Sequence, residues 1–346
     1  MENTSSQPNP ENILKIGSGF MACKVLLTAV KFKLFTKLSA HPDQTAISLK
    51  KQLDLNCSDR HFFDFLDTLT GLGFLTRTGM LENAKYSNSM DSEVFLDSKK
   101  PSYIGGILEM MNARLYGFWD NLEEALKTGT QQNEAKHGVN VFEEIYKDPE
   151  ILETFVNGMT GVQIGNFMAF AKQFDFSNLS TLTDAGGSAG YLSLMVAQEN
   201  PHMHCTSFDL PPIGPIAEST IKKFHLQDRV QSKSGDFFNE PIPSADMIVM
   251  GNILHDWNEE EKILLMQKAY DSLPEGGIFV AIENIIDEDR KQNIFGMVMS
   301  LNMLIETVGG FDYTFKDFCC WGEKVGFKSF EIMPLAGPAS AAIAIK

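Results

Sequence analysis

Acidic and aromatic side chains recur where predicted strands end in the second half of the chain. The stretch Leu182–Leu192, LTDAGGSAGYL, places Asp184 before a turn with three glycines in five positions. Glycine lets a backbone approach a ligand closely, and a glycine-rich turn after the first strand of a doubly wound sheet is where nucleotides bind. A turn whose glycines serve packing alone is the alternative, and the dinucleotide pattern GxGxxG is absent.

Two further acidic motifs follow in the same manner. One predicted strand ends at Asp209 in SFDL, and the next ends at Asp236 and Phe237 in GDFF. A carboxylate at the end of the second strand can accept hydrogen bonds from ribose hydroxyls, and Asp236 and Phe237 would fall beside an adenine ring. Each motif alone also fits an ordinary turn or a helix start. Three successive strand ends of this kind favour a ligand that contains a nucleoside.

A histidine and two carboxylates form a second candidate group. His255 lies in NILHDWNEEE, after a predicted strand and just before a helix-start signature at Asn258 and Glu261. A later predicted strand ends at Glu283, within the apolar segment VAIENII, and Asp312 follows a glycine pair in GGFDYT. A buried carboxylate needs a partner and histidine titrates near neutral pH, so the group fits acid–base chemistry. A histidine with a purely structural role is the alternative.

These residues need an alternation of strands and helices to bring them together. From about residue 179, short apolar runs alternate with helical stretches. This alternation predicts an α/β fold, a parallel sheet with helices on both faces. Ligands of such sheets gather outside the carboxyl ends of the strands, where His255 and the acidic motifs would meet.

The first part of the chain is predicted to be mainly helical. After a disordered N-terminus over residues 1–12, residues 13–110 contain helix, turn, helix and hairpin, which is a winged-helix pattern. Its candidate recognition helix carries Asp59, Asp64 and Asp67, which DNA phosphates would repel. We therefore expect this block to mediate homodimerisation. A winged-helix transcription regulator remains the alternative from another functional class.

Composition argues against several other classes of protein. The net charge of −16 disfavours nucleic acid as a partner. The five cysteines are scattered without CxxC spacing, which argues against zinc and disulfides and favours a reducing, cytoplasmic compartment. The polar N-terminus does not match a signal peptide, and no uninterrupted apolar run has the length of a membrane span. We expect no metal and no membrane partner.

In this order, the segments resemble the plant-type small-molecule O-methyltransferases that use S-adenosylmethionine, of the caffeate and acetylserotonin type. The resemblance covers nearly the whole chain and includes the glycine turn, GDFF, HDW, IENIIDEDR and SLNMLIET. It implies a winged-helix dimerisation domain and a Rossmann-like catalytic domain over residues 179–346. A helical connector over residues 111–178 would contribute to the substrate pocket. The implied reaction moves a methyl group from S-adenosylmethionine to a hydroxyl of a small aromatic or hydroxyindole-like molecule.

The resemblance also implies roles for individual residues. The implied cofactor contacts are Asp184, Gly186, Gly190, Asp209, Leu210, Asp236 and Phe237. His255 matches the family's general base, and Glu283 and Asp312 match the carboxylates that orient its ring. Substrate contacts are expected from Asp256, Trp257, Asn302 and Met303.

Three positions depart from the family's pattern. Ser188 stands where glycine is usual and would cost about 1 kcal/mol if its φ is positive. Asp312 replaces a glutamate, and Tyr313 replaces an arginine. These departures leave the methyl acceptor open, with the sulfur of a small thioether or thiol as the nearest alternative. A thioether has no proton for a base to remove, so His255 favours oxygen.

Overall fold

Helical periodicity in the first third and strand–helix alternation in the last half produce two separate units. The computed structural model describes residues 8–100, 102–135 and 141–346. The units are Met1–Arg114 and Leu115–Lys346. The division lies close to the boundary predicted at residue 110, and the predicted connector and catalytic domain share the second unit. Of the predicted disordered N-terminus, residues 1–7 lie outside the described residues, and the first helix begins at Glu11.

The first unit combines helices with a small antiparallel sheet. Its helices are α1 Glu11–Gly17, α2 Gly19–Lys31, α3 Leu34–Ala40, α4 Ala46–Gln52, α5 Asp59–Gly71, α6 Met90–Phe95 and α7 Gly105–Met110. Its strands are β1 Gln44–Thr45, β2 Leu75–Thr78 and β3 Lys85–Asn88, in the order β1-β3-β2. Ser58 caps α5 by accepting a hydrogen bond from the backbone N–H of His61 at 3.2 Å. The order of α4, α5, β2 and β3 is the one predicted for a winged helix.

Helices α1 and α2 leave a row of apolar side chains uncovered. Ile13, Ile16 and Phe20 are 75%, 73% and 56% exposed. The stretch Glu11–Lys31, which Lys15 and Lys24 interrupt, is by length and composition apolar enough to cross a membrane, and little of it is buried. Length and composition alone do not distinguish a membrane span from a helix that packs against a partner.

The second unit begins with helices and continues with the predicted alternation. Its helices are α8 Tyr116–Phe118, α9 Leu122–Thr128, α10 Val141–Ile145, α11 Pro149–Gln173, α12 Tyr191–Glu199, α13 Gly214–Lys223, α14 Glu259–Ser272, α15 Ile294–Glu306 and α16 Phe315–Val325. Its strands are β4 Thr181–Ala185, β5 His204–Asp209, β6 Val230–Ser234, β7 Met247–Gly251, β8 Ile278–Glu283, β9 Ser329–Pro334 and β10 Ser340–Ile345. The predicted α/β class is therefore confirmed.

The seven strands form one sheet in the order β6-β5-β4-β7-β8-β10-β9. Neighbouring strands from β6 to β8 pair in parallel, as predicted. The last two strands depart from the predicted parallel sheet, because β10 runs antiparallel to both β8 and β9. Only five residues separate β9 from β10, and a parallel crossover needs a much longer connection.

Both faces of the sheet are covered, and the strand order creates one crevice. Along β8, Phe279 and Ala281 join one core while Val280 and Ile282 join the other. The chain passes from β4 outward to β5 and β6, and then returns to β7 on the other side of β4. Ligands of open α/β sheets bind at such a reversal, outside the carboxyl ends of the strands. The segments after β4 and β7 meet there.

Candidate active site

The glycine turn after β4 adopts a conformation that other residues would not fit. Gly186 has φ +80°, and a Cβ built there would lie 2.3 Å from Cδ1 of Ile253. Gly190 has φ +81° and immediately precedes α12. A side chain at Gly186 would collide with Ile253, so the turn keeps bare backbone at the strand-order reversal.

Ser188 occupies the middle of this turn with φ +49°. The conformation on which its predicted strain depended is therefore present. Its backbone N–H donates to Oδ2 of Asp209 at 2.8 Å, which holds the turn against the end of β5. Its hydroxyl oxygen is buried without a hydrogen-bond partner among the described residues.

Two carboxylates lie beneath and beside the turn. Asp184 is buried at the end of β4, and burial together with the charge of Asp209 raises its pKa to about 8. Asp209 is half-buried, its Oδ1 accepts from the N–H of Leu210 at 2.7 Å, and burial raises its pKa to about 6. Their raised pKa values reflect the cost of burying negative charge, a cost that a positive charge bound nearby would reduce.

Asp236 and Phe237 lie just beyond β6. The carboxylate of Asp236 accepts from the N–H of Phe238 at 2.8 Å and from Nδ2 of Asn239 at 2.6 Å, so it closes its own turn. The ring of Phe237 comes within 3.8 Å of the position that a Cβ on Gly186 would take. Of this pair, Phe237 is the side chain that lines the glycine turn.

His255 lies on a short 3-10 turn, Leu254–Asp256, that follows β7. Its side chain is buried, and its Nδ1 lies 3.3 Å from Oδ1 of Asp312. Its Nε2 lies 3.6 Å from Oδ1 of Asp256, which is beyond hydrogen-bond distance. When the imidazole is neutral, a proton on Nδ1 faces Asp312 and Nε2 is the nitrogen able to accept one.

Glu283 contacts the backbone of this turn. Its Oε1 accepts from the backbone N–H groups of Ile253 and His255 at 3.1 and 3.2 Å. Glu283 thus contacts the backbone that carries His255, whereas Asp312 faces the ring; that the two carboxylates orient the imidazole stays a prediction. Glu283 is the last residue of β8, next to β7, so its side chain reaches the chain that leaves the neighbouring strand.

The surrounding charges make His255 a strong base. Burial lowers its pKa, but the negative charges of Asp312, Asp256 and Glu283 outweigh burial and raise it to about 10. Burial raises the pKa of Asp256 to about 7, with His255 acting in the opposite direction. An imidazole so surrounded binds a proton tightly, which is the property needed to take one from a weak acid.

An aromatic wall adjoins both candidate groups. The ring of Trp257 packs edge-on against Phe237 and Phe238 at centroid distances of 6.3 and 4.5 Å, and tilted against Phe142 at 6.1 Å. Its indole N–H is buried without a partner among the described residues. Burial and the charges of Asp209 and Asp256 raise the pKa of Tyr146, which places that phenol near both carboxylates.

The predicted substrate residues Asn302 and Met303 are buried on α15, which packs against the turn that carries His255. The amide oxygen of Asn302 accepts from Nε1 of Trp119 at 2.9 Å. The hydroxyl oxygen of Ser300, on the same helix, accepts from the N–H of Asp312 at 3.2 Å. The structure thus brings α15 to the His255–Asp312 pair, and contact with substrate stays a prediction.

The carboxyl edge of the sheet, where β4, β5, β6 and β7 end, has the chemistry of a site for a positively charged nucleoside. Bare backbone, a carboxylate acceptor beside it, an aromatic ring and buried acids fit S-adenosylmethionine, whose sulfur is cationic. Within the described ranges, no group of three or more histidine, cysteine or acidic residues is arranged to hold a metal ion. The fold and this edge define a methyltransferase that uses S-adenosylmethionine.

Comparisons with known proteins identify the family. The O-methyltransferase domain family matches residues 119–328, and the O-methyltransferase dimerisation domain matches residues 14–98. The chain therefore belongs to the S-adenosylmethionine-dependent O-methyltransferases, as the motifs predicted.

Individual relatives extend over most of the chain. A tetracenomycin polyketide synthesis 8-O-methyltransferase, TcmO of Streptomyces glaucescens, is 32% identical over 97% of both chains. The N,N-dimethyltransferase OxyT of Streptomyces rimosus is 31% identical over 80% of this chain and 78% of its own. The crystal structure of human N-acetylserotonin methyltransferase with S-adenosylmethionine superimposes with a TM-score of 0.90, at 26% identity, over 100% of this chain and 99% of that one.

Several residues near the site were missed by sequence reasoning. Tyr146 lies in a helical region without a motif, so nothing in its neighbourhood indicated it. Asn252 has φ +53° just after β7, a conformation that asparagine tolerates better than most residues but that its sequence context does not reveal. Lys262 is fully buried, although it follows three glutamates and resembles part of a solvated helix surface.

Proposed function

We propose that this protein transfers the methyl group of S-adenosylmethionine to a hydroxyl of a small aromatic, hydroxyindole-like or polyketide-like molecule, with His255 as general base. The observation that carries the proposal is the orientation of His255. Its Nδ1 faces Asp312 at 3.3 Å, whereas its Nε2 has no carboxylate within hydrogen-bond distance among the described residues. Once the imidazole is neutral, Nε2 is thereby available to accept a proton.

The acidity of the acceptor determines what the cofactor and the protein must each supply. When bound, S-adenosylmethionine supplies a methyl group that its cationic sulfur has already activated. A phenol has a pKa of about 10, so forming its anion at neutral pH costs roughly 4 kcal/mol. His255 would take that proton during methyl transfer, and Asp312 would stabilise the imidazolium, as the acid of a catalytic triad does. Burial of both groups excludes water and fixes their alignment.

The pKa of His255 matches this task and sets a pH dependence. A base with a pKa of about 10 exchanges a proton with a phenol at almost no cost in free energy. The same high pKa leaves His255 protonated at neutral pH in the free enzyme. We therefore expect kcat/KM to rise with pH above 7, because only the neutral imidazole acts as a base.

Sulfur and nitrogen remain as other acceptors. A thioether has no proton to lose, so the His255–Asp312 pair would contribute little to its methylation. An amine acceptor is suggested by the name of the relative OxyT. An amine that is protonated at neutral pH must also lose a proton, so His255 does not separate oxygen from nitrogen.

Methyl transfer from S-adenosylmethionine labelled in the methyl group tests the proposal directly. The acceptor panel should contain phenols, hydroxyindoles, aromatic amines and thioethers of similar size. We expect label in phenols or hydroxyindoles, with the label released by chemistry that cleaves O-methyl ethers. Label found only in amines or thioethers would contradict the proposal, and His255→Ala assayed on the same panel shows whether each acceptor needs the base.

We also propose that the protein acts as a homodimer in the cytoplasm. The match to a dimerisation domain and the uncovered apolar side chains of α1 and α2 support self-association. All five cysteines are free, which suits a reducing compartment. The alternative of a transcription regulator has no support among the relatives described above, which carry the names of methyltransferases.

A further inference from the structure

Lys262 is completely buried in the first turn of α14. Lysine is almost never fully buried unless it is paired. The first turn of a helix also carries partial positive charge, which disfavours a cation. Burial lowers the pKa of Lys262 to about 8. An apolar side chain would avoid these costs but could not make the contacts of the lysine nitrogen.

The ammonium group of Lys262 contacts two segments of the active site at once. Its Nζ donates a hydrogen bond to the backbone carbonyl of Trp257, two residues after His255. The same nitrogen lies 3.6 Å from the ring centroid of Phe311, the residue before Asp312. A second pair of rings, those of Tyr313 and Trp321, each lie 5.9 Å from this nitrogen.

We propose that Lys262 is a positioning residue for His255, which rests on the proposed role of His255 as general base. Lys262 ties the backbone that follows the histidine to the ring that precedes Asp312. The tie keeps Nδ1 of His255 opposite Oδ1 of Asp312 at 3.3 Å. Without it, the two segments would separate and the imidazole would lose part of its contact with the carboxylate.

Replacing Lys262 would change the pKa of His255 in two opposite ways, one through the position of the imidazole and one through the lost charge. The charged groups around His255 are Asp256 on its own turn, Glu283 on β8, Asp312 before α16 and Lys262 on α14. Removing a positive charge would raise the pKa of His255, whereas loosening the contact with Asp312 would lower it. Asp312 is the charge with the largest effect on the pKa of His255, and Lys262 is not among the leading ones. The effect of position should therefore dominate.

The test is the pKa of His255 measured by NMR titration of labelled histidine side chains, in protein saturated with S-adenosylhomocysteine. The His255 signal is assigned by its absence in His255→Ala. In Lys262→Met, which keeps the volume and loses the donor, the pKa should fall by roughly one unit or more. Lys262→Arg, which retains a donor and a cation, should restore it. Lys268→Met on the same helix is the matched control, because its Nζ contacts the carbonyl of Glu240 instead.

An unchanged or higher pKa of His255 in folded Lys262→Met would overturn the proposal. If that variant does not fold, Phe311→Leu removes the other half of the tie and should lower the pKa in the same way; an unchanged value there would also overturn it. Failure of the proposed function shows separately, as near-native turnover in His255→Ala. The titration measures geometry and does not depend on which acceptor is methylated.

Discussion

Asp209 joins the glycine turn to the end of β5 through two backbone hydrogen bonds. Its two oxygens accept from Ser188 and Leu210, and each oxygen keeps a further lone pair for a ribose hydroxyl. The same carboxylate therefore supports the unusual conformation of Ser188 and offers acceptors to the cofactor.

Replacing Asp209 with alanine should weaken cofactor binding. The ribose would lose its acceptor and the Ser188 N–H would lose its partner, so we expect affinity for S-adenosylhomocysteine to fall by at least about tenfold, as for a hydrogen bond to a charged group. Isothermal titration calorimetry measures this. Asp209→Asn is the control, since it keeps one acceptor oxygen and should lose less. Equal affinity of Asp209→Ala and the native protein would show that this acid does not hold the cofactor.

Candidate residues are recognisable from the sequence where a motif marks a strand end, and their contacts are not recognisable where packing decides them. The acids, glycines and histidine stand in short patterns whose chemistry is readable. Glu283 stands in such a pattern, but only the fold shows that its carboxylate contacts the backbone of Ile253 and His255. Lys262 was missed because EEEK has the composition of an exposed helix surface, and its burial depends on Phe311, about fifty residues away in the chain.

At the scale of elements, α14 follows directly on the segment that carries His255, Asp256 and Trp257. The helix begins with a capping box: Oδ1 of Asn258 accepts from the N–H of Glu261 at 3.0 Å, and the Glu261 carboxylate accepts from the N–H of Asn258 at 3.1 Å. The sequence predicted this start from the spacing of the two residues. The cap fixes where the active-site turn ends and the helix begins.

Asn258→Ala should lower the free energy of unfolding by about 1 kcal/mol, the usual value of an N-cap. Urea denaturation followed by circular dichroism measures the change. Asp271→Ala, at an exposed position near the other end of α14, should alter stability by a few tenths of a kcal/mol at most. If both variants were equally stable, the capping box would contribute nothing to the fold.

The order of helices and strands was predictable from the sequence, but the strand pairing at the edge formed by β10 and β9 was not. Alternating apolar runs and helices indicate a parallel sheet, and that held for β4 to β8. The two C-terminal strands were recognised as apolar segments, but the antiparallel pairing of β9 with β10 follows from the short link between them. Side-chain patterns carry no direct signal for strand direction when both faces of a sheet are buried.

At the scale of the whole molecule, the N-terminal unit leaves apolar surface that a second copy would cover. We expect a dimer at micromolar concentration in sedimentation velocity. Phe20→Glu, which places a charge on the exposed apolar side of α2, should shift the protein toward monomer because burying an unpaired charge in an interface is costly. Leu264→Glu, at a similarly exposed position of the second unit, should leave the dimer intact. A fully active native monomer would contradict this expectation.

Turnover of His255→Ala shows whether His255 removes the proton of the methyl acceptor. With the hydroxyl acceptor identified by label transfer, kcat should fall by about 10²–10⁴-fold, the usual contribution of a general base. Affinity for S-adenosylhomocysteine should hardly change, and the rise of native kcat/KM above pH 7 should disappear in the variant. His61→Ala, at an exposed position of the first unit, should retain native turnover. Near-native kcat in His255→Ala would contradict the account and point to sulfur, or to an acceptor that arrives already ionised.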